Sequence, residues 1–464
     1  MKIFVKNLGP LKQANFELGE LTIICGHNNT GKTYATYALF GFLSEWRSIL
    51  SMRIHDENIQ QLLTDGITKI DLQKYIDRSP KVLEKGCEEY TKRLPSIFAS
   101  SKKKYMNTDF EIYLNKEDIH PISSFERTIS ATKTQLFSIV KEKDKPEVTI
   151  SLLVDKEDIR LPYSIISKVI GDAVNDIIFS QIFPTPFIAS AERTGSAIFR
   201  KELNFARNRL LEQVSKVDKE IDPVEYISKV YSDYALPVKK NVEFTRQLED
   251  ISKKESYIST EHPRLLDDFA DIIGGMYNVT RNDELYYIPN SCKNVKLTMD
   301  ESSSAVRSLL DVGFYLRHVA RRGDLLMIDE PELNLHPENQ RRIARLFSSL
   351  VNIGIKVFLT THSDYIIKEI NTLIMLNRDE KYLRKIAEKE GYKPDELISA
   401  DKIKVFIAEK DLVKLDEHKK RSRCETLVPA NIDQTFGIEA RSFDTTINEM
   451  NRIQDEIIWG DDDE

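Results

Sequence analysis

The run Leu21-Thr22-Ile23-Ile24-Cys25, followed by Gly26-His27-Asn28-Asn29-Thr30-Gly31-Lys32-Thr33, constrains the fold of this chain more than any other feature. The five residues before Gly26 read as a strand, and Tyr34 to Leu43 has the length and apolar density of a buried helix. G-x-x-x-x-G-K-T is fully matched between them, in the strand, loop and helix order that gives the pattern its mechanism. Glycines let backbone N–H groups approach phosphate oxygens, and the helix start adds its positive dipole end. Gly26, Asn28, Asn29, Thr30 and Gly31 then form the cradle. Lys32 is expected to reach the β- and γ-phosphates, and the Thr33 hydroxyl to ligate Mg²⁺.

A second group of residues supplies the chemistry such a cradle needs. Leu325-Leu326-Met327-Ile328-Asp329-Glu330 is an apolar strand ending in two acids, where a parallel sheet presents its ligand groups. Asp329 is expected to hold Mg²⁺ and Glu330 to orient or deprotonate the attacking water. His362 follows the apolar strand Lys356 to Thr360, one helix and one return strand later, which brings its imidazole beside the carboxylates, where it is expected to act in catalysis by bridging the γ-phosphate and the water-orienting network. Ser302, Ser303 and Ser304 precede a helix read from about Ser304 to Ala320 and cap it. The same hydroxyls and N–H groups can face a γ-phosphate bound to a second subunit, so the site is expected to be complete only in a dimer. Asn334 and His336 are read as loop-shaping or interface residues rather than catalytic ones.

The remaining chain divides around these motifs. With 464 residues it exceeds the size at which one core keeps growing. Residues 1–45 and 276–375 read as the two parts of an α/β core with a mixed sheet flanked by helices. Residues 46–185 read as an inserted, mainly helical lobe broken by Pro80, Pro95, Pro121, Pro146 and Pro162, with strand-like runs at Phe110 to Leu114 and Val148 to Val154. A helical lobe spans 186–275 and includes a helix from Ala197 to Val217 with Leu203, Leu210, Leu211 and Val214 at helical spacing. Met276 to Thr280, Leu285 to Ile288 and Val295 to Met299 read as a small antiparallel β subdomain with a turn at Arg281-Asn282-Asp283, and 376–464 as an α/β extension with frayed closing acids from Asp461 to Glu464.

Composition removes several function classes. Charged residues make up 30% and hydrophobic ones 41%, the profile of a folded soluble chain, and no apolar segment approaches the ~20 residues that cross a bilayer. Cys25, Cys87, Cys292 and Cys424 form no C-x-x-C pair, which points away from zinc and disulfides and toward a reducing cytoplasm. The net charge of −7 gives no global attraction to nucleic acid, yet a local basic face would escape that test, so DNA binding stays open.

Gly26 to Thr33, Ser302 to Ser304, Asp329-Glu330-Pro331-Glu332-Leu333-Asn334-Leu335-His336-Pro337 and Thr361-His362-Ser363 resemble the motif series of ABC-type ATPases. The form D-E-P-E-x-x-L-H-P is similar to the RecF-like and overcoming-lysogenization-defect-like subgroup found in bacterial anti-phage systems, the PARIS and Septu ATPases among them. Phe187 to Arg193 also resembles a strand-plus-basic-residue segment of that subgroup. The resemblance implies Mg²⁺ and ATP as ligands, a homodimer or higher homo-oligomer with ATP at the interface, and a separate effector, nuclease or toxin, under its control. A DNA-binding repair ATPase is the alternative it leaves open. Phe406-Ile407-Ala408-Glu409-Lys410-Asp411 is only faintly similar to the start of a nuclease domain, and too little chain follows to build one.

Overall fold

The computed structural model describes residues 1–131, 134–154, 162–199, 234–280, 284–415, 421–439 and 449–457. Of the expected helix from Ala197, Leu203, Leu210, Leu211 and Val214 lie outside the described residues, as do the turn Arg281-Asn282-Asp283 and the closing acids. Along the chain, β1 (Lys2–Leu8), β2 (Leu11–Glu17) and β3 (Leu21–Gly26) lead into α1 (Lys32–Ile49). There follow α2 (Asp56–Asp65), β4 (Ile67–Asp71), α3 (Ser79–Ile97), β5 (Asp109–Tyr113), β6 (Phe125–Ala131), β7 (Thr134–Lys141), β8 (Glu147–Leu152) and α4 (Tyr163–Phe179). The next stretch holds β9 (Pro186–Ala189), α5 (Arg193–Ile198), α6 (Leu236–Arg246), α7 (Arg264–Ile273), β10 (Gly275–Val279), β11 (Leu285–Pro289) and β12 (Leu297–Thr298). The last comprises α8 (Ser304–Ser308), α9 (Leu310–His318), β13 (Leu325–Asp329), α10 (Pro337–Asn352), β14 (Lys356–Thr361), α11 (Asp364–Leu376), α12 (Lys381–Lys389), β15 (Ile403–Val413) and β16 (Ser422–Pro429).

These elements fall into two compact units. The first comprises residues 1–4, 41–94 and 108–185. Its aromatic core sets Phe42 against Tyr90, Phe110 and Phe183, and Trp46 against Phe179 and Phe183. The nearly buried Asp176 is paired with both Arg47 and Arg127. The inserted lobe, expected to be mainly helical, also holds a four-stranded antiparallel sheet in the order β4-β8-β7-β6. β6 is threaded with polar residues, Phe-Glu-Arg-Thr-Ile-Ser-Ala, and so carries little of the apolar alternation by which strands are read. Two prolines expected to break helices do not. Pro80 sits in the first turn of α3, where its missing N–H has no partner to lose, and Pro95 falls in the last turn.

The second unit comprises residues 5–40, 95–107 and 186–464 and is built on a six-stranded sheet in the order β16-β15-β3-β14-β13-β9. The five strands from β15 to β9 are parallel, and β16 pairs antiparallel to β15 at the edge. The central strands β3 and β13 are buried along their whole length, as the unbroken apolar runs require. Cys25 pairs with Thr361, Asp329 with Thr360, and Ile328 with Ala189, so Gly26, Asp329 and Thr361 come to one edge, the carboxyl ends of the strands. The expected meander is present as β10-β11-β12, antiparallel throughout.

Two features of this unit depart from the sequence reading. The stretch taken as a C-terminal extension supplies β15 and β16 to the sheet itself, with Ile403 to Ala408 in register on Leu21 to Gly26. The single helix expected from Ser304 is instead α8 and α9, separated at Leu309, which has φ −107° and ψ 8°. Among the described residues no helix is long and apolar enough to cross a membrane.

Candidate functional site

The loop after β3 holds its shape by features only its own residue types permit. Gly26 has φ +134°, and a Cβ there would stand 2.5 Å from the Ala408 carbonyl oxygen of β15. Gly31 has φ +100° and packs against Leu11 so closely that a Cβ would meet its side chain at 2.6 Å. Asn29 also takes a left-handed φ of 64°, which its short polar side chain tolerates better than most. Thr30 closes the loop by donating to the His27 carbonyl at 2.8 Å. Asn28 and Asn29 are exposed, Thr33 is half-buried, and Lys32 is 5% exposed.

Lys32 Nζ donates to the carbonyls of Gly26 at 2.9 Å and His27 at 2.7 Å, so the ammonium closes the cradle on itself. Burial lowers its affinity for the proton, and the carboxylates of Glu330, Asp329 and Glu332 oppose that effect. One cation thus lies in the field of three acids from the end of β13.

Asp329 is almost fully buried. Its Oδ1 accepts from the Thr360 hydroxyl on the neighbouring strand, while Oδ2 is buried without a hydrogen-bond partner. Burial raises its pKa to about 6, against the opposing hydroxyls of Thr360 and Thr33. Glu330 takes φ 52°, a conformation rare for a residue of its size, and its N–H donates to both the Thr360 carbonyl (3.1 Å) and the Thr360 hydroxyl (3.2 Å). The neighbouring strand therefore fixes both acids through one threonine.

His362 is placed by the end of β14. Its Nδ1 lies 3.7 Å from Glu330 Oε1 and 3.2 Å from Glu332 Oε1. Glu332 is buried and accepts from the Thr361 hydroxyl at 2.9 Å and the His362 N–H at 2.7 Å. Burial raises the Glu332 pKa, and these donors oppose the rise. His336 caps α10 through Nδ1, and Asn334 sits at φ 62° in the loop before it.

The three serines are held by their own loop. Ser302 donates to the Met299 carbonyl at 2.7 Å, Ser303 is the N-cap of α8, and the Ser304 hydroxyl accepts from Arg307. Among the described residues no hydrogen bond joins them to Gly26–Thr33 or to Asp329 and Glu330. The structure thus brings Lys32, Asp329, Glu330 and His362 to one sheet edge and leaves Ser302 to Ser304 bonded elsewhere.

Three residues at this edge were given no role of their own from the sequence: Thr360, Glu332 and Arg193. Arg193 is 1% exposed and donates to the main-chain carbonyls of both Asp329 and Glu330. The signal for Glu332 was its place in the acidic motif, and for Arg193 the basic residue after β9.

A family model described as AAA ATPase domain matches residues 1–367 of the chain. No curated protein matches it. Among solved structures, the chain is similar to an Smc head bound to the C-terminal winged-helix domain of ScpA, at 12% identity and a TM-score of 0.34, covering 92% of this chain and 97% of that one. It is also similar to an Smc head with an extended coiled coil, bound to the C-terminal domain of ScpA derived from Pyrococcus furiosus (12%, TM-score 0.31, 98% of each chain). The SMC head domain from Thermotoga maritima matches at 12% identity and a TM-score of 0.29, over 93% of this chain and 98% of that one.

Proposed function

The chain belongs to the family of AAA ATPase domains, and from that premise we propose that it binds ATP on the loop Gly26 to Thr33 and hydrolyses it to ADP and phosphate. The observation that carries this reading is the buried Lys32 in the combined field of Glu330, Asp329 and Glu332 at one sheet edge. In it, Lys32 exchanges the carbonyls of Gly26 and His27 for the β- and γ-phosphates, and the loop N–H groups take the remaining oxygens.

Thr33 and Asp329 are the residues that would hold Mg²⁺. The unpartnered Oδ2 of Asp329 fits that role, since a buried carboxylate oxygen without a donor is costly unless a cation takes it up. When bound, the ion neutralises charge on the β- and γ-phosphate oxygens. Glu330 orients the attacking water and takes its proton as the water oxygen bonds to the γ-phosphorus and the bridging oxygen leaves with ADP. His362, between Glu330 and Glu332, steadies the water-orienting carboxylate. Ser302 to Ser304 serve the γ-phosphate held by a second copy, so the working unit is a homodimer or larger.

Glu330→Gln tests the assignment. The variant is expected to bind a fluorescent ATP analogue as the wild type does, to lose hydrolysis by about 10²-fold or more, and to stay assembled with ATP on a sizing column. Hydrolysis by the variant at the wild-type rate would remove Glu330 from its role.

On the form of Asp329 to Pro337, the wider setting we infer is an anti-phage defence module in which this ATPase restrains and releases a separate effector, a nuclease or toxin. Its test is a phage challenge of cells carrying the locus with its neighbouring genes. Protection that Lys32→Ala abolishes is expected, and absence of protection by the intact locus counts against the role.

A further inference from the structure

Arg193 spends a buried guanidinium entirely on main-chain carbonyls. Nε donates to Ser308 O at 2.6 Å, Nη1 to Ser190 O at 2.8 Å and Asp329 O at 2.6 Å, and Nη2 to Glu330 O at 2.8 Å. Among the described residues it forms no ion pair. Removing a cation from water for carbonyl partners alone is costly, and the planar fork fixes the relative positions of everything it touches. Its partners come from three elements: the end of β9, the end of β13 and the last residue of α8.

That last contact is doubled. Ser308 gives its carbonyl to Arg193, and its hydroxyl is shared between the Ala305 carbonyl at 3.0 Å, within α8, and the Leu333 carbonyl at 3.1 Å, in the loop that follows Glu330. These bonds draw the Ser308 carbonyl and hydroxyl toward the β13 end, which accounts for the break at Leu309. What remains, α8, is a single short turn with Ser303 capping one end and Ser308 tied at the other. At about 1.5 Å per residue it separates the two by only some 7–8 Å. Glu330, at the far side of the fork, sits at φ 52°, a backbone state that persists only when its surroundings over-determine it. Arg193 on its carbonyl and Thr360 on its N–H are those surroundings.

We propose that Arg193 is a positioning residue that couples the two ATP sites of the dimer: a shift of α8, when Ser302 to Ser304 meet the γ-phosphate held by the second copy, reaches Glu330 of the same chain through the guanidinium. This rests on the dimeric site proposed above and adds to it a direction of communication. The serines of one copy complete its partner's site, whereas Glu330 of that copy works on its own nucleotide. Closure at one site therefore readies the other, and hydrolysis is cooperative in ATP.

The test compares wild type, Arg193→Lys and Ser308→Ala for binding of a fluorescent ATP analogue, kcat, KM, the Hill coefficient of hydrolysis and the melting temperature. Lysine keeps the charge but cannot span three elements, and alanine removes only the second tie. For Arg193→Lys, analogue affinity within about 3-fold of wild type, kcat down about tenfold or more and a Hill coefficient falling from about 2 to about 1 are expected. Ser308→Ala is expected to lower the Hill coefficient with a smaller loss of kcat, and it carries the test alone if the lysine variant does not fold. Wild-type Hill coefficients retained by every variant that folds would overturn the coupling, as would a loss of affinity, melting temperature and kcat together with cooperativity intact. A wild type that hydrolyses no ATP would instead overturn the ATPase reading.

Discussion

Glu332 holds His362 at two points: its Oε1 accepts the His362 backbone N–H at 2.7 Å and lies 3.2 Å from the ring Nδ1. The ring is thus oriented by a buried acid behind it, with Glu330 Oε1 farther off at 3.7 Å. Glu332→Gln keeps the shape and removes the charge that fixes the ring. We expect ATP affinity to hold while kcat falls by about tenfold or more, as when the carboxylate behind a working imidazole is neutralised. Steady-state kinetics alongside analogue binding checks the split, and an unchanged kcat would dismiss the orienting role.

Lys32→Ala removes the one ammonium inside the cradle. Its bonds to Gly26 and His27 are replaceable by water, but its bonds to phosphate are not, and charge-assisted contacts of that kind contribute about 1.5–3 kcal/mol each. Binding of a fluorescent ATP analogue should weaken by about 10²-fold or more, with the fold kept. Titration at matched salt measures it, and wild-type affinity would place the nucleotide elsewhere.

Gly26→Ala is expected to weaken both the fold and the nucleotide site. A Cβ at φ +134° meets the Ala408 carbonyl oxygen at 2.5 Å, and that oxygen belongs to the strand paired with β3. Strain and the displaced strand should together cost about 1–3 kcal/mol or more. A thermal melt checks the stability loss. Gly66→Ala is the control, since it shares a positive φ of 77° but has nothing within 4 Å of its Cβ position.

Asp311 gives a pH signature away from the nucleotide loop. It is fully buried, accepts from the Thr245 hydroxyl at 3.1 Å, leaves Oδ2 without a partner, and has its pKa raised by burial to about 7. The folded chain therefore binds this proton more tightly than the unfolded one. Stability falls as pH rises from about 4 to about 7 and stays lower above that. Asp311→Asn, which keeps the acceptor for Thr245, should melt above wild type at pH 8, with the gap closing toward pH 4. The gain is at most about 4 kcal/mol, less the cost of an unsatisfied amide. Melting curves across that range test the sign, and a gap that does not change with pH would reject it.

The parts of the site that were legible in the sequence are those whose chemistry is local. Gly26 to Thr33 lies between its own strand and helix, and Asp329 and Glu330 end an apolar run, so a few contiguous residues carry each reading. Arg193 was visible only as a basic residue after a strand, because its four partners lie at Ser190, Ser308, Asp329 and Glu330 and no local pattern brings them together. The break at Leu309 was hidden for the same reason. Strands β6 and β7 were missed for another, since their outward faces are polar and a hairpin of that kind differs little from a loop until its partner β8 is known.

The pairing of β15 with β3 has a consequence for how the chain is made. The strand carrying the nucleotide loop leaves the ribosome long before the neighbour on its β15 side, Ile403 to Ala408, is synthesised. Until then β3 offers an open, apolar edge of the kind that invites wrong pairing, and closing the sheet is a late, long-range event in folding. A fragment ending at residue 367, where the family match stops, would keep every nucleotide-site motif and still expose that edge. Such a fragment is expected to aggregate, and one extended through Pro429 to remain in solution.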